Sequence, residues 1–393
     1  MTNMTIEKEV ADSGGKTLMT LSTPALVLDL DRMDRNLARL TALMDGFGVV
    51  LRPHLKTAKS IDVARRIHPE GPGPITVSTL AEAEYFAREG GYTDITYAVG
   101  LDPYMAPRAL ALCATGVELK VTLDTAAQAE SLGQAAAGHT SKPSVMIEID
   151  CDGHRGGLVP DDPKLVDVAR AVVDAGLTLA GVLTHAGASY DLHDPMALAD
   201  AAENERASAV RAAERLRAAG FDCPVVSVGS TPTSHFARDL TGVTEVRAGV
   251  FMFFDLVMHG IGVCQIDDIA VSVLTTVIGT KPDKGWILVD AGWMAMSRDR
   301  GTSKQAVDQG YGLVCDVHGK PLDDLIVDQA NQEHGIIALR PGSKAALPDL
   351  PVGTRLRVLP NHACATGAQH DAYHVVAGNA DDVVAVWPRM RGW

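Results

Sequence analysis

The stretch "STPALVLDLDRMDRNLARLTALMDGFG", residues 22–48, followed directly by "VVLRPHL", residues 49–55, decides the fold. An apolar run reads as a strand. Asp31 is then placed to cap a helix, Met33, Leu37, Leu40 and Met44 recur at helical spacing, and Gly46 and Gly48 stop the helix before a second apolar run begins. The alternation continues along the chain. Apolar runs stand at Val49 to Leu55, Ile75 to Thr79, Ile95 to Val99, Val117 to Leu123, Val145 to Ile149, Leu177 to Leu183, Val225 to Val228 and Val246 to Val250, eight in all. Most gaps between them carry an amphipathic pattern, as in "ALADAAENERASAVRAAERLRAAG", residues 197–220, where alanine and leucine alternate with charge and a glycine ends the run. Eight strands each followed by a helix, in roughly 200 residues, predict a closed parallel (β/α)8 TIM-like barrel. An open doubly wound sheet is the other arrangement the alternation allows. The run Ala25 to Leu30 is one strand too many for the barrel and is expected to pair elsewhere.

Beyond about Cys264 the texture changes. "IAVSVLTTVIGT", "GWILVDAG", "GYGLVCDV", "HGIIALR", "TRLRVLPNH" and "VVAVWP" are strand-like runs separated by turn residues with almost no helical period between them, which predicts a second, mainly β domain. The expected division is a barrel over 31–264 and a β domain built from 1–30 plus 265–393. No Pro/Ser-rich linker separates them, so the two are expected to pack together.

The chain has 393 residues, 46% of them apolar, with 37 glycines and 20 prolines, the composition of a globular α/β protein. No apolar run approaches the roughly 18 residues that span a bilayer. The opening "MTNMTIEKEVADSGGK" has no signal-peptide core, which predicts a cytoplasmic protein. A formal charge of −14, from 35 basic and 49 acidic residues, argues against nucleic acid or an anionic membrane as partner, though a local basic pocket can still take a small anion. The six cysteines, without a C-x-x-C pair, point to reduced thiols.

Chemistry in a parallel barrel gathers where the strands end. Lys56 follows the first barrel strand, Arg155 in "DCDGHRGG" the fifth and His185 in "THAGAS" the sixth. The seventh ends in "VGSTPT", where Gly229, Ser230 and Thr231 would present backbone N–H groups and two hydroxyls near a helix start. Arg247 and Gly249 come from the eighth. This set describes a phosphorylated ligand facing a lysine, as an aldimine with pyridoxal phosphate requires. From the residues alone, "KTAK" is equally a pair of solvated loop lysines, and the Gly-Ser-Thr turn an ordinary capped one. His362 and Cys364, two apart at a strand end, can face the same way and suit a borderline-soft cation such as Zn²⁺, although H-x-C alone is common.

The segments "TPALVLDLDRMDRN", "LRPHLKTAKS", "VSTLAEAEYF", "IEIDCDGHRGG", "LTHAGASY", "VSVGSTPT", "VTEVRAGVFMFFDLVM", "DAGWMAMSRDRGT", "NQEHGI" and "LPNHACATGAQH" run in one order from about residue 20. In that order they resemble the D-serine dehydratase-like family of fold-type III, alanine-racemase-like pyridoxal phosphate enzymes, and in particular its bacterial D-threo-3-hydroxyaspartate dehydratase branch. The resemblance implies that Lys56, and not Lys59, holds pyridoxal 5'-phosphate, that Arg155 approaches its ring, and that Gly229, Ser230 and Thr231 cradle its phosphate. It implies zinc, or another divalent ion, at His362 and Cys364. It also places the first strand with the β domain and implies a homodimer in which both domains serve each site. Where the family often has T-H-K, this chain has Thr57, Ala58 and Lys59, so the role of that second histidine is not carried over. His54 remains either a packed strand residue or a catalytic one, His370 and His374 either close to the metal or on the surface, and Arg298 and Arg300 either partners of a substrate carboxylate or surface arginines.

The activity so implied is dehydration of a D-3-hydroxy amino acid. Lys56 would remove the α-proton and the metal would help the β-hydroxyl leave, taking D-threo-3-hydroxyaspartate to oxaloacetate and ammonia, with D-serine a weaker substrate. Three alternatives stay open: a D-threonine-type aldolase, an amino-acid racemase, and a non-enzymatic pyridoxal phosphate carrier. Aldolase relatives tend to carry a histidine in the loop after the sixth strand and an H-x-D pair. Here that loop holds Tyr190, counted with Lys56 among the catalytic candidates, with His193 close by.

Overall fold

A computed structural model describes residues 15–378 and 380–393, so the N-terminal stretch read above for a signal peptide lies outside the described residues. Contacts divide the chain into two units. Among the described residues, one comprises 37–251, 261–263 and 390–393; the other comprises 15–36, 252–260 and 264–389.

The first unit is built on eight parallel strands: β2 (Val50–Pro53), β3 (Ile75–Val77), β4 (Asp94–Gly100), β5 (Glu118–Leu123), β6 (Ser144–Ile149), β7 (Leu179–Thr184), β8 (Val225–Val228) and β9 (Glu245–Ala248). They pair in the order β2-β9-β8-β7-β6-β5-β4-β3. Pro53 ends the β2 ladder, and the next two residues close the ring: His54 N–H donates to Ala248 O at 2.7 Å and Leu55 N–H to Thr76 O at 2.9 Å. The alternation of strand and helix therefore makes a TIM-like barrel rather than an open sheet.

Its interior carries charge. Alternate residues of β9, Glu245 and Arg247, point inward and meet Arg52 of β2. Arg52 Nε donates to Glu245 at 2.8 Å, and its Nη1 and Nη2 donate to Asp94 at 2.9 and 3.1 Å. Lys120 also donates to Asp94, at 2.6 Å. Ser227 donates to Glu245 and accepts from Arg247, each at 2.6 Å, and Arg247 donates to Thr184 O. Burying such groups is tolerable only when each has a partner, so this ladder ties β2, β4, β5, β7, β8 and β9 into one register.

In the other unit, β1 (Ala25–Asp29) pairs antiparallel with β10 (Val271–Lys281) and parallel with a later strand, β16 (Ala372–Val376). The strand in excess of the barrel is accounted for. The helix after it, Leu30–Phe47, is capped two residues earlier than the spacing predicts: Asp29 Oδ1, not Asp31, accepts the Arg32 N–H at 3.0 Å. It also runs through Gly46 and stops at Gly48, whose φ of 69° is left-handed.

The remaining strands are β11 (Trp286–Val289), β12 (Leu313–Cys315), β13 (Pro321–Ala330), β14 (Gly335–Leu339), β15 (Arg355–Leu359) and β17 (Ala385–Pro388). Because β11 pairs with both β10 and β14, the strands β10-β11-β14-β13-β12-β15 close on themselves through the β15–β10 pairing. The ring encloses Val273, Val277, Ile287, Val289, Val314, Leu325, Val327, Ile337, Leu356 and Val358, all nearly or wholly buried. The sequence runs do not announce β13, where Asp323 and Asp324 interrupt the apolar pattern and Asp324 adopts φ 55°, nor β16. Among the described residues no helix is long and apolar enough to cross a membrane, and no cysteine is in a disulfide.

At the end of the barrel where the strands begin, burial and the Arg52 charge lower the His68 pKa to about 4 from 6.5. A group depressed in the native state binds protons first in the unfolded chain. Its contribution to stability is complete above pH 6.5 and is lost as pH falls towards 4. Chemical denaturation of wild type and His68→Gln should therefore show a stability difference that turns against wild type across this window. A difference independent of pH would show that His68 titrates normally.

Candidate active site

Lys56 is the first residue past the closure of the barrel, and it is exposed. Lys59 is not an equivalent candidate. Its N–H returns to Leu55 O at 2.8 Å, its φ of 47° is left-handed, and its ammonium lies 3.0 Å from the buried carboxylate of Glu82, which also accepts the Ser78 N–H at 2.8 Å. One lysine of "KTAK" is thus committed to an ion pair and the other stands at the mouth.

Two histidines share the mouth. His185 Nδ1–H donates to Gly229 O at 2.7 Å, which leaves Nε2 as acceptor. Burial lowers its pKa to about 4, and the charges of Arg155, Lys56 and Arg247 press the same way against the Gly229 bond. His54 is held well below the usual histidine range by burial, then by Lys56, Arg247 and His185; its Nε2 lies 3.4 Å from Ser78 Oγ. Neutral imidazoles beside Lys56, Arg155 and Arg247 make a positive mouth in a negative protein, suited to an anion and a flat ring. Tyr190 lies beside His185, with ring centroids 6.2 Å apart. Arg155 is largely exposed, 3.5 Å from Glu148. Arg247 is buried within the barrel ladder rather than open to a ligand.

The turn after β8 differs from the sequence expectation. Gly229 is required by close approach, since a Cβ there would fall 1.9 Å from Arg247 O. Its N–H donates to Glu205 at 3.0 Å, the Ser230 N–H donates to Thr233 Oγ1 at 3.2 Å, and the Ser230 hydroxyl caps the helix Thr231–Phe236 by accepting the Thr233 N–H. These groups are not open for a phosphate. The buried group left over is the Thr231 hydroxyl, which has no partner among the described residues. Gly249 brings the end of β9 against the Lys56 turn, where a Cβ would lie 2.9 Å from Thr57 Oγ1. An open lysine, a cationic rim, neutral histidines and an orphaned buried hydroxyl fit pyridoxal phosphate.

Glu205 organises this region. From the helix Pro195–Ala218 it accepts the Ala186 N–H at 2.8 Å, the Gly229 N–H, and the Thr233 hydroxyl at 2.6 Å, which joins the loops after β7 and β8. Burial pushes its carboxyl up, and the three bonds oppose that. The motif reading passes over Glu205, yet a signal is present: Leu198, Ala202, Glu205, Ala209, Ala212 and Leu216 form one buried helical stripe, and a glutamate on such a stripe needs internal partners.

In the β unit, His362 and Cys364 sit at a turn from strand into helix, not along a strand, so alternation is not what brings them together. His362 precedes the short helix Ala363–Gly367, within which Cys364 lies and bonds the imidazole. Asp255, buried, accepts the Ala363 N–H at 3.0 Å, and Asp299 accepts from His362 Nδ1 at 2.7 Å. Burial opposes protonation of His362, but the charge of Cys364 and the Asp299 bond outweigh it and push the pKa up to about 11. Negative charge collects around this ring, as a cation site requires. His362 and Cys364 are two donors of borderline-soft character; no set of three or more His, Cys, Asp or Glu is placed to hold a metal among the described residues, so a cation here would need water or substrate to complete its shell. His370 donates to Ala295 O at 2.9 Å, His374 lies in β16, Arg298 stacks on Trp293, and Arg300 pairs with Asp308 at 2.8 Å and stacks on Tyr311.

A parallel (β/α)8 barrel with a lysine beyond its first strand, joined in sequence to an antiparallel β domain, is the architecture of the alanine racemase class. The chain belongs to this family: the alanine racemase N-terminal domain matches residues 28–257, and a serine dehydratase domain matches 270–376. It is 55% identical to D-threo-3-hydroxyaspartate dehydratase of Delftia sp. (strain HT23), over 96% of this chain and 99% of that one. The solved structure of that enzyme superposes with TM-score 0.92 at 54% identity, covering 96% and 100% of the two chains. Solved variants of a dehydratase of the same name include a histidine-to-alanine change and, two positions on, a cysteine-to-alanine change in the metal-free form. A 3-hydroxy-D-aspartate aldolase of Paracoccus denitrificans (strain Pd 1222) is 30% identical over 94% of this chain and 91% of its own.

Replacing Glu205 by alanine strands the Ala186 and Gly229 N–H groups in the interior, which should cost about 3 kcal/mol or more. Glu205→Gln keeps the shape and an oxygen for the Ala186 and Gly229 N–H groups, but it turns the end facing Thr233 from acceptor to donor and removes the charge. It should weaken pyridoxal phosphate binding, read by equilibrium titration, with a smaller loss of stability. Unchanged cofactor affinity in a folded Glu205→Gln would remove Glu205 from the support of the mouth.

Proposed function

We propose that this chain is a dehydratase that converts D-threo-3-hydroxyaspartate to oxaloacetate and ammonia and, more slowly, D-serine to pyruvate and ammonia. The observation that carries the reading is the His362–Cys364 pair, bonded to each other and with His362 held by Asp299, in a chain 55% identical to a D-threo-3-hydroxyaspartate dehydratase. A histidine and a cysteine two residues apart are also the residues replaced in solved variants of a dehydratase of that name.

When bound, pyridoxal phosphate supplies a sink for the electron pair left by the α-proton, and a divalent cation supplies Lewis-acid stabilisation of a departing hydroxyl oxygen. The chain's own residues do the rest. Lys56 Nζ carries the cofactor and, once the substrate amine has taken its place, accepts the α-proton. Arg155 and neutral His185, with the Thr231 hydroxyl and the turn of Gly229, Ser230 and Gly249, would hold the cofactor and its phosphate. Arg247 holds the floor beneath them by bonding Ser227 and Thr184 O. Tyr190, beside His185, is the second catalytic candidate. His362 and Cys364 hold the cation, proposed to be zinc.

The balance is simple. The α C–H and β C–O bonds break and one water leaves; the unsaturated amine then rearranges and takes up one water, releasing ammonia and the 2-oxo acid. D-Serine should be slower because it lacks the side-chain carboxylate, whose binding energy is then missing from the transition state. The proposal includes a cytoplasmic homodimer, checked by fractionation and sedimentation velocity.

Product analysis decides the reaction. Incubation with D-threo-3-hydroxyaspartate should give oxaloacetate and ammonia in equal amounts. Glycine and glyoxylate without ammonia would replace dehydration by the aldolase reading. A chelator should stop turnover and leave cofactor absorption in place, and zinc should restore turnover; full activity in metal-free protein would remove the cation. Borohydride should fix the cofactor to Lys56, so Lys56→Ala should lose labelling and nearly all activity, whereas Lys59→Ala should keep its labelling. Labelling of Lys59 would overturn the assignment.

A further inference from the structure

We infer that Asp299 is a positioning residue that makes His362 a metal ligand of fixed tautomer and orientation. The inference rests on the reading of His362 and Cys364 as ligands given above. Asp299 Oδ2 accepts from His362 Nδ1 at 2.7 Å, which commits Nδ1 to the carboxylate and makes Nε2 the ring nitrogen that a cation would take.

The carboxylate is fixed independently of the histidine. Its Oδ1 accepts the Gly301 N–H at 2.8 Å, and the Asp299 N–H donates to Ser297 Oγ at 3.2 Å. Ser297, at φ 72°, holds a left-handed conformation costly for a residue with a Cβ. The backbone is tied to the segment that carries His362: Asn361 Nδ2 donates to Asp299 O at 3.1 Å and to Gly310 O at 2.7 Å, while Asn361 Oδ1 accepts from Thr302 at 3.0 Å. Asn361 and Thr302 are 2% and 0% exposed. Asp299 is thus attached to residue 361 through its main chain and to residue 362 through its side chain. A fortuitous surface pair would not be held at both ends. Asp255 fixes the other side by accepting the Ala363 N–H, so the imidazole has little freedom to turn.

The test is cation affinity, not turnover. Protein loaded with pyridoxal phosphate is stripped of metal and titrated with Co²⁺, whose visible spectrum reports a thiolate ligand, and with Zn²⁺ by competition. Asp299→Ala should weaken binding about 10- to 100-fold, and Asp299→Asn, which still offers Nδ1–H an acceptor, should lose less, about threefold or more. The cofactor absorption at Lys56 should not move. If Asp299 acts through the ring, adding Asp299→Ala to His362→Ala should cost nothing further. An Asp299→Ala affinity within about twofold of wild type, or an equal loss in the His362→Ala background, overturns the inference. If Asp299→Ala does not fold, Asp299→Asn decides in the same way: unchanged affinity overturns. Cation binding indifferent to both His362→Ala and Cys364→Ala would instead overturn the ligand reading beneath it, a pattern distinct from an effect missing only in the Asp299 variants.

Discussion

The barrel depends on a run of paired charges inside it. Lys120, Asp94, Arg52, Glu245, Ser227 and Arg247 follow one another in hydrogen-bond contact, and the buried Glu205 carboxylate lies within the field of Arg247. Three cations, Lys120, Arg52 and Arg247, face three anions, Asp94, Glu245 and Glu205. Each would cost several kcal/mol to bury alone, so the interior is stable only while every member keeps its partner. Such a ladder fixes strand register more tightly than interchangeable aliphatic side chains can, because a shift of one residue turns a charged group out of the barrel and leaves its partner unpaired. Arg247 and Glu205 belong both to this ladder and to the floor of the mouth, so the mouth inherits the rigidity of the barrel.

The β unit solves the same problem with different means. Its ring of six strands is filled by aliphatic side chains, and its candidate cation ligands lie in the turn after β15. There, precision comes from backbone clamps: Asn361 ties two loops together, and Asp255 and Asp299 hold the short helix and the imidazole. A site on a turn needs such supports, because a turn has no ladder of its own to keep side chains within the small tolerance that catalysis demands.

Much of this was legible from the chain. The eight apolar runs mark the barrel strands to within about two residues at most ends, since a strand buried on both faces writes itself as a continuous run. The seventh, Leu177 to Leu183, registers the strand Leu179–Thr184 in that way. Less legible were features set by contacts distant in sequence. Asp299 lies 63 residues from His362, and Glu205 lies 24 from Gly229. Neither pairing has a local pattern, although the place of Glu205 on an apolar helical stripe was a usable sign. Strand alternation does not apply to His362 and Cys364, because the chain turns into a helix between them; the pair rests on the family resemblance instead. The open N–H groups expected of the Gly-Ser-Thr turn were likewise lost to Glu205 and Thr233, partners that the motif does not contain.

The two constellations also differ in sign, and that difference bears on the proposed chemistry. Around Lys56 the neighbours are Arg155, Arg247 and two histidines kept neutral, so the field favours an anion and withholds protons from the imidazoles. Around His362 the neighbours are Cys364, Asp299 and Asp255, so the field favours a cation. Elimination of a 3-hydroxy amino acid poses both problems at once: an α-proton must leave towards a base while negative charge develops on a departing oxygen. Retro-aldol cleavage needs the oxygen to lose only its proton and remain on carbon. A thiolate beside an imidazole selects a borderline-soft cation such as zinc over magnesium. Such a cation is a strong Lewis acid, and it answers the demand of a leaving hydroxide more directly than it answers proton transfer. On the proposed reading, the thiolate of Cys364 in the H-x-C pair is therefore the feature of this chain that most favours dehydration over cleavage.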